Sequence, residues 1–226
     1  SASHNSVEYN GIKLFSGTGF KLPDSVEEEI EELILDKPEQ IQLKNGCDIG
    51  RVSKMPGAAE EYIGHLRSTA ETSEYDFDGL TVAVDCANGS ASVTAEKLFT
   101  DIGAKCLMLS DTPDGCNIND NCGSTHMDNL QRFVTENDCD LGIAFDGDAD
   151  RCLAVDHGGN IVDGDKLIAI IADYMKEKGT LKKDTAVVTV MSNLGFRTYM
   201  DKNGMNTVCT AVGDRYVLEE MLKSGY

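Results

Sequence analysis

Leu141-Gly142-Ile143-Ala144-Phe145-Asp146-Gly147-Asp148-Ala149-Asp150-Arg151 runs an apolar pentapeptide directly into three carboxylates at i, i+2 and i+4. The first five residues read as a buried strand. Only Gly147 and Ala149 separate the acids, so the chain can curl tightly and aim three carboxylate oxygens at one point. Converging anions of this kind call for a hard cation, and Mg²⁺ suits a ligand set that leaves positions for water or a phosphate oxygen. A calcium loop also opens D-x-D-x-D. It requires Gly at its sixth position and Glu at its twelfth, where this sequence has Arg151 and His157, and it follows a helix instead of a strand. An acidic, solvent-facing turn remains the plain alternative. Arg151 can orient one carboxylate or take a substrate phosphate bidentately.

Outward from this stretch, strand and helix patterns alternate. Leu80 to Val84 reads as a buried strand closed by Asp85-Cys86-Ala87-Asn88-Gly89, Val93 to Ile102 as a helix, and Lys105 to Leu109 as a second strand. A helix from Met127 to Asn137 leads into the 141–145 strand. A further unit follows: helix Lys166 to Lys178, strand Thr185 to Val190, helix Leu194 to Lys202, strand Thr207 to Ala211 and helix Tyr216 to Ser224. Such alternation implies an α/β protein of several domains with mostly parallel sheets sandwiched by helices, and ligand sites at the carboxyl ends of strands.

Before Leu80 the pattern differs. Asn10-Gly11 precedes Ile12 to Phe15, which reads as a short strand, and Ser25 with Glu28 forms a capping box for a helix carrying Val26, Ile30, Leu33 and Ile34 on one face. Ala59, Tyr62, Ile63 and Leu66 repeat at helical spacing. The polar stretch Glu71 to Asp78 marks the best boundary, giving segments 1–70, 71–160 and 161–226. The opening lacks an initiator Met and the last unit shows only two strands, so a chain truncated at both ends is expected.

Composition narrows the function. Among 226 residues, 39 acidic against 20 basic side chains give a net charge of −19, which repels a nucleic-acid backbone. Anionic small substrates stay open, since a few cations in a cleft override a distant field beyond the screening length of about 8–10 Å. No apolar run approaches the roughly 18 residues of a membrane span, and no secretory signal is visible. The eight cysteines contain no C-x-x-C pair, which disfavours a zinc site and a disulfide framework and makes the reduced cytoplasm the expected compartment.

Three further constellations can carry chemistry. In Ser1-Ala2-Ser3-His4-Asn5 a serine beside His and Asn can be a nucleophile or simply part of a polar loop. Asn117-Ile118-Asn119-Asp120-Asn121-Cys122-Gly123-Ser124-Thr125-His126 is turn-rich and reads as a structural loop. Val212-Gly213-Asp214-Arg215-Tyr216 lies between strand and helix, where Asp214 can be an N-cap or the turn can meet an anion. Neither a G-x-S-x-G elbow nor a P-loop occurs.

Together these segments resemble the α-D-phosphohexomutase superfamily. Ser1 to Asn5 and Tyr9-Asn10-Gly11-Ile12-Lys13 resemble its phosphoserine loop, and Asp146 to Arg151 resembles its metal loop. The stretches at 117–119, 122–126 and 212–217 resemble the amino-sugar branch more than the glucose and mannose branches. The resemblance implies that Ser3 carries a transferable phosphoryl group, that a phosphoserine oxygen at Ser3 with Asp146, Asp148 and Asp150 holds Mg²⁺, and that His4 and Lys13 assist proton transfer or charge stabilisation. It further implies substrate contacts from Asn5, Arg151, Gly213, Asp214 and Arg215, and a phosphorylated aminosugar as substrate, glucosamine 6-phosphate being converted to glucosamine 1-phosphate. A homodimer of the complete protein is compatible with it; nucleic-acid and membrane partners are not expected. The family's usual Pro after Asn5 is Ser6 here, which removes a φ restriction. Two rival readings are a dehalogenase-like phosphatase with Asp146 as nucleophile, and a non-catalytic module that binds cations or sugar phosphates.

Overall fold

The computed structural model describes residues 3–70 and 77–226. Ser1, Ala2 and most of the boundary stretch expected at Glu71 to Asp78 lie outside the described residues.

The central unit is a five-stranded mixed sheet. β1 (Thr81–Asp85) lies between β2 (Lys105–Leu109) and β3 (Leu141–Phe145), all parallel, with Val84 opposite both Met108 and Ile143. β4 (Cys152–Asp156) pairs antiparallel with β3, and β5 (Ile161–Val162) antiparallel with β4. The sequence pattern did not announce this β3–β4 hairpin. Its consequence is large: Phe145 and Cys152 are paired, so the triple-aspartate segment is the hairpin loop between them.

Strand side chains alternate between two faces. Ala83, Ala144 and Val155 face α4 (Asp128–Glu136), whose Leu130 and Val134 are fully buried against them. Val82 and Val84 point the other way, toward Ala91, Ala95 and Ala104 around α3 (Ala95–Asp101). Helices therefore cover both faces, and the loops at the carboxyl ends of β1 and β3 share one edge. Among the described residues no helix is long and apolar enough to cross a membrane.

The later unit contains α5 (Gly164–Glu177), β6 (Thr185–Thr189), α6 (Leu194–Lys202), β7 (Asn206–Thr210) and α7 (Asp214–Ser224), numbering α1 and α2 as the two helices before β1. β6 and β7 are parallel, over a core of Ala172, Ala186, Val188, Phe196, Met200 and Met205. Asp163 and Asn193 cap α5 and α6 by accepting the amides of Lys166 and Phe196. At α7 the N-cap is Gly213, so Asp214 is a first-turn residue and not the cap.

The first segment departs most from the sequence pattern. Among the described residues Ile12 to Phe15 forms no strand; a lone bridge between Phe15 and Lys21 is all that develops there. α1 (Asp24–Glu31) starts one residue before the expected Ser25 cap. Pro23 sets φ at −59°, and its carbonyl accepts the amides of Val26 and Glu27, so Ser25 lies inside the first turn and makes no cap bond. α2 (Ala58–Thr69) forms, buries Ile63 and lies against α3.

The α4–sheet packing gives a direct stability expectation: Leu130→Ala lowers the unfolding free energy by about 3 kcal/mol in urea denaturation, and a loss under about 1 kcal/mol would contradict the packing described.

Candidate metal and phosphoryl-transfer site

Four loops meet at the carboxyl edge of the central sheet. The 146–151 hairpin loop supplies Asp146, fully buried, Asp148, partly buried, and Asp150, exposed; one ligand atom from each lies within 4.8 Å of the others. The second loop carries Ser3, whose Oγ donates to Asp146 Oδ2 at 2.7 Å across 143 positions of sequence. The third closes β1 with Ala87 to Ser90, and the fourth carries Asn119 and Gly123.

Close backbone contact between these loops depends on glycine. Ser90 N–H donates to the Gly147 carbonyl at 2.9 Å, and a Cβ on Gly89 would lie 2.7 Å from Gly147 Cα. A Cβ on Gly147 would lie 2.7 Å from the Ser3 carbonyl oxygen. Any side chain at either position pushes the loops apart.

Lys13 brings the positive charge. Its Nζ bonds Asp148 Oδ2 at 2.5 Å and Asp150 Oδ2 at 2.8 Å, and these two carboxylates hold its pKa above the ordinary lysine value. Burial works against the charge of Asp148, but the Lys13 ammonium outweighs it and holds that carboxyl below its ordinary range. Arg151 sends its backbone N–H to Asp146 Oδ1 at 3.2 Å, while its guanidinium donates to His4 Nδ1 at 2.6 Å. A neutral imidazole accepting at Nδ1 carries its proton on Nε2.

The donor set fits a divalent cation. Three carboxylates face one ammonium, which leaves two negative charges, and Asp148 Oδ1 is buried without a hydrogen-bond partner. All-oxygen ligation suits Mg²⁺ chemically.

The expected residues thus fall into two groups. Ser3, His4, Lys13, Asp146, Asp148, Asp150 and Arg151 are assembled at one edge, with the Asn5 carbonyl held beside them by Asn119. Gly213, Asp214 and Arg215 lie at a turn engaged by the first segment: Lys21 Nζ bonds Asp214 at 2.6 and 2.9 Å, and Arg215 pairs with Asp24 and donates to the Leu22 carbonyl. His126 pairs with Thr125.

Sequence reasoning misses two residues. Asn119 lies in a stretch whose composition is that of a structural turn. Asp85 is fully buried at the end of β1, and its two oxygens accept the amides of Ala87 and Gly123, each at 2.9 Å. An acid closing a buried strand before Ala-Asn-Gly was the available signal. Next to it, burial first and then the Asp85 charge push the Cys86 thiol up to about 12, so it packs as an inert apolar group.

Models of the phosphoglucomutase/phosphomannomutase alpha/beta/alpha domains I, II and III match residues 1–41, 60–159 and 163–226 in that order. The chain belongs to the phosphoglucomutase/phosphomannomutase family. Within that family it is 53% identical over its whole length to a phosphoglucosamine mutase of Clostridium acetobutylicum, and 53% identical over 225 residues to one of Carboxydothermus hydrogenoformans. It spans about half the length of these relatives, 50% in each case. Among solved structures, a phosphoglucomutase/phosphomannomutase family protein from Burkholderia thailandensis superposes with a TM-score of 0.77 at 21% identity, covering 100% of this chain and 47% of that one. The phosphoglucomutase parafusin from Paramecium, in its open form, gives 0.68 at 19% identity over 99% of this chain and 46% of that one. These two share the fold.

Asp85 tests the loop assembly. Asp85→Asn replaces one acceptor by a donor facing a buried amide, and should lower stability by about 2 kcal/mol in denaturant unfolding; a change within about 0.5 kcal/mol would show that the carboxylate does not hold the two loops.

Proposed function

We propose that this chain is the phosphoryl-transfer half of a phosphoglucosamine mutase, with Ser3 as the phosphoryl carrier. The observation that supports the reading most is the 2.7 Å hydrogen bond between Ser3 Oγ and Asp146 Oδ2. It puts a hydroxyl from a polar loop against the one acidic cluster with metal-site geometry among the described residues.

In this reading phosphoserine at Ser3 donates its phosphoryl group to the C1 oxygen of glucosamine 6-phosphate: the P–O bond to Ser3 breaks as the bond to C1 oxygen forms, and the C1 hydroxyl gives up its proton. The bisphosphorylated sugar turns over and returns its 6-phosphoryl group to Ser3, leaving glucosamine 1-phosphate, a precursor for UDP-N-acetylglucosamine and cell-wall synthesis. Asp146, Asp148, Asp150 and a phosphoserine oxygen would hold Mg²⁺, which when bound neutralises charge on the phosphoryl oxygens. Lys13 adds an ammonium at the same place. His4, fixed through Nδ1 by Arg151, presents Nε2 for proton exchange with the sugar hydroxyl. Asn5, Arg151 and the Gly213-Asp214-Arg215 turn are assigned to substrate binding. The enzyme is placed in the reduced cytoplasm, the complete protein is compatible with a homodimer, and the chain divides at 1–70, 71–160 and 161–226.

A phosphatase with Asp146 as phosphoryl acceptor finds less support. Asp146 is fully buried, one oxygen engaged by Ser3 and the other by the Arg151 amide.

In the complete enzyme, Ser3→Ala should abolish incorporation of labelled phosphate from labelled sugar phosphate, whereas undiminished labelling would refute the assignment. Asp148→Asn should shift the Mg²⁺ activation curve to higher concentration; an unchanged titration would remove Asp148 from the ligand set.

A further inference from the structure

We infer that Asn119 is a positioning residue for phosphoryl transfer: its carboxamide clamps the backbone on both sides of His4 and thereby seats the Ser3 hydroxyl on the aspartate loop. The inference rests on the reading of Ser3 as phosphoryl carrier.

Asn119 is only 6% exposed, and its Nδ2 donates to the carbonyls of Ser3 and Asn5, each at 2.8 Å. Both hydrogens of one amide are thus spent on a segment 116 and 114 positions away. The two carbonyls bracket His4, whose ring meets Arg151. Ser3 sits at φ 58°, a left-handed conformation that costs a residue with a Cβ about 1–2 kcal/mol. Without a restraint on its carbonyl, that segment would relax away from Asp146.

The clamp is itself anchored to the central strand. Asn119 holds φ 57°, which Asn tolerates better than most residues, and its N–H donates to the Ala87 carbonyl at 2.9 Å. Ala87 N–H in turn donates to Asp85, at the buried end of β1. Opposite the clamp, a Cβ on Gly147 would lie 2.9 Å from Asn119 Nδ2, so the carboxamide closes against the backbone of the metal loop. Asn119 therefore fixes where Ser3 stands relative to Asp146, acting through the loop and not on the reacting atoms. A displacement of about 1 Å at a reacting group can cost on the order of a hundredfold in rate.

Two substitutions separate the clamp from the fold. Asn119→Gly keeps the left-handed backbone and the N–H to Ala87 while removing the carboxamide. Asn119→Asp keeps size and backbone tolerance but turns the donor into an acceptor facing two carbonyls. In the complete enzyme, kinetics with glucosamine 6-phosphate, thermal unfolding and amide hydrogen exchange are compared with the parent protein. Expected are a kcat lower by about 30–100-fold with KM within about threefold, and faster exchange in residues 3–9 with β1 and β3 unchanged. A kcat within about threefold of the parent overturns the inference. So does a loss of kcat accompanied by faster exchange throughout β1 and β3, which would make Asn119 only a stabilising residue. If the parent protein lacks mutase turnover yet the exchange pattern changes as described, the substrate reading fails and the clamp stands. If turnover is present and exchange in 3–9 is unaltered in both variants, the clamp fails and the substrate reading stands.

Discussion

The hydrogen bond from Ser3 Oγ to Asp146 Oδ2 is the contact on which the site depends, because it joins two loops that have no local reason to meet. Nothing in either loop alone would hold it. The Ser3 segment is short, polar and largely exposed, with Ser3 itself in a left-handed conformation. It is retained by the Asn119 amide on its carbonyls, by Lys13 of the same segment on the neighbouring carboxylates, and by glycine backbones thin enough to let the chains touch. β1 ends at Asp85 and β3 at Phe145, and Asp146 stands one residue beyond β3.

Electrostatics and packing act together there. The chain carries a net charge of −19, yet the site gathers cations: Lys13 lies on Asp148 and Asp150, and Arg151 lies on His4. Three carboxylates in one loop would repel each other strongly if left uncompensated. One ammonium offsets part of that, and the buried, unpartnered Asp148 Oδ1 marks where the compensation is incomplete. A divalent cation would supply the remainder. The β3–β4 hairpin makes this economical in backbone terms, since Phe145 and Cys152 fix both ends of the loop and the three aspartates have little freedom left to lose.

Much of the architecture was legible in the sequence because its signals are local. Lys105 to Leu109 and Leu141 to Phe145 are short apolar runs bounded by turns, and they form strands at those positions. The helix expected from Met127 to Asn137 forms as Asp128–Glu136 and buries Leu130 and Val134 against the sheet. The D-x-D-x-D spacing after a strand is a local signal as well, and the three carboxylates do converge, one ligand atom of each within 4.8 Å of the others. What was not legible depends on partners distant in sequence. β5 is two residues long and exists only because β4 is beside it. Ile12 to Phe15 has a strand's composition, yet among the described residues only Phe15 is bridged, to Lys21. Asn119 looks like any turn asparagine, and its role appears only when Ser3, 116 positions earlier, is brought beneath its amide. The pattern of the Gly213-Asp214-Arg215 turn suits an N-cap or an anion site equally, yet the turn is held by Lys21 and Asp24, a pairing that no spacing rule reveals.

The central claim is that the Ser3 side chain and the aspartate loop are one site. Phosphorus NMR of the phosphorylated protein with Mn²⁺ in place of Mg²⁺ measures this directly, because a paramagnetic ion broadens only resonances close to it. Severe broadening of the phosphoserine signal, abolished by Asp146→Asn, is the predicted result. A phosphoserine resonance that stays sharp when the aspartate loop is saturated with Mn²⁺ would contradict it.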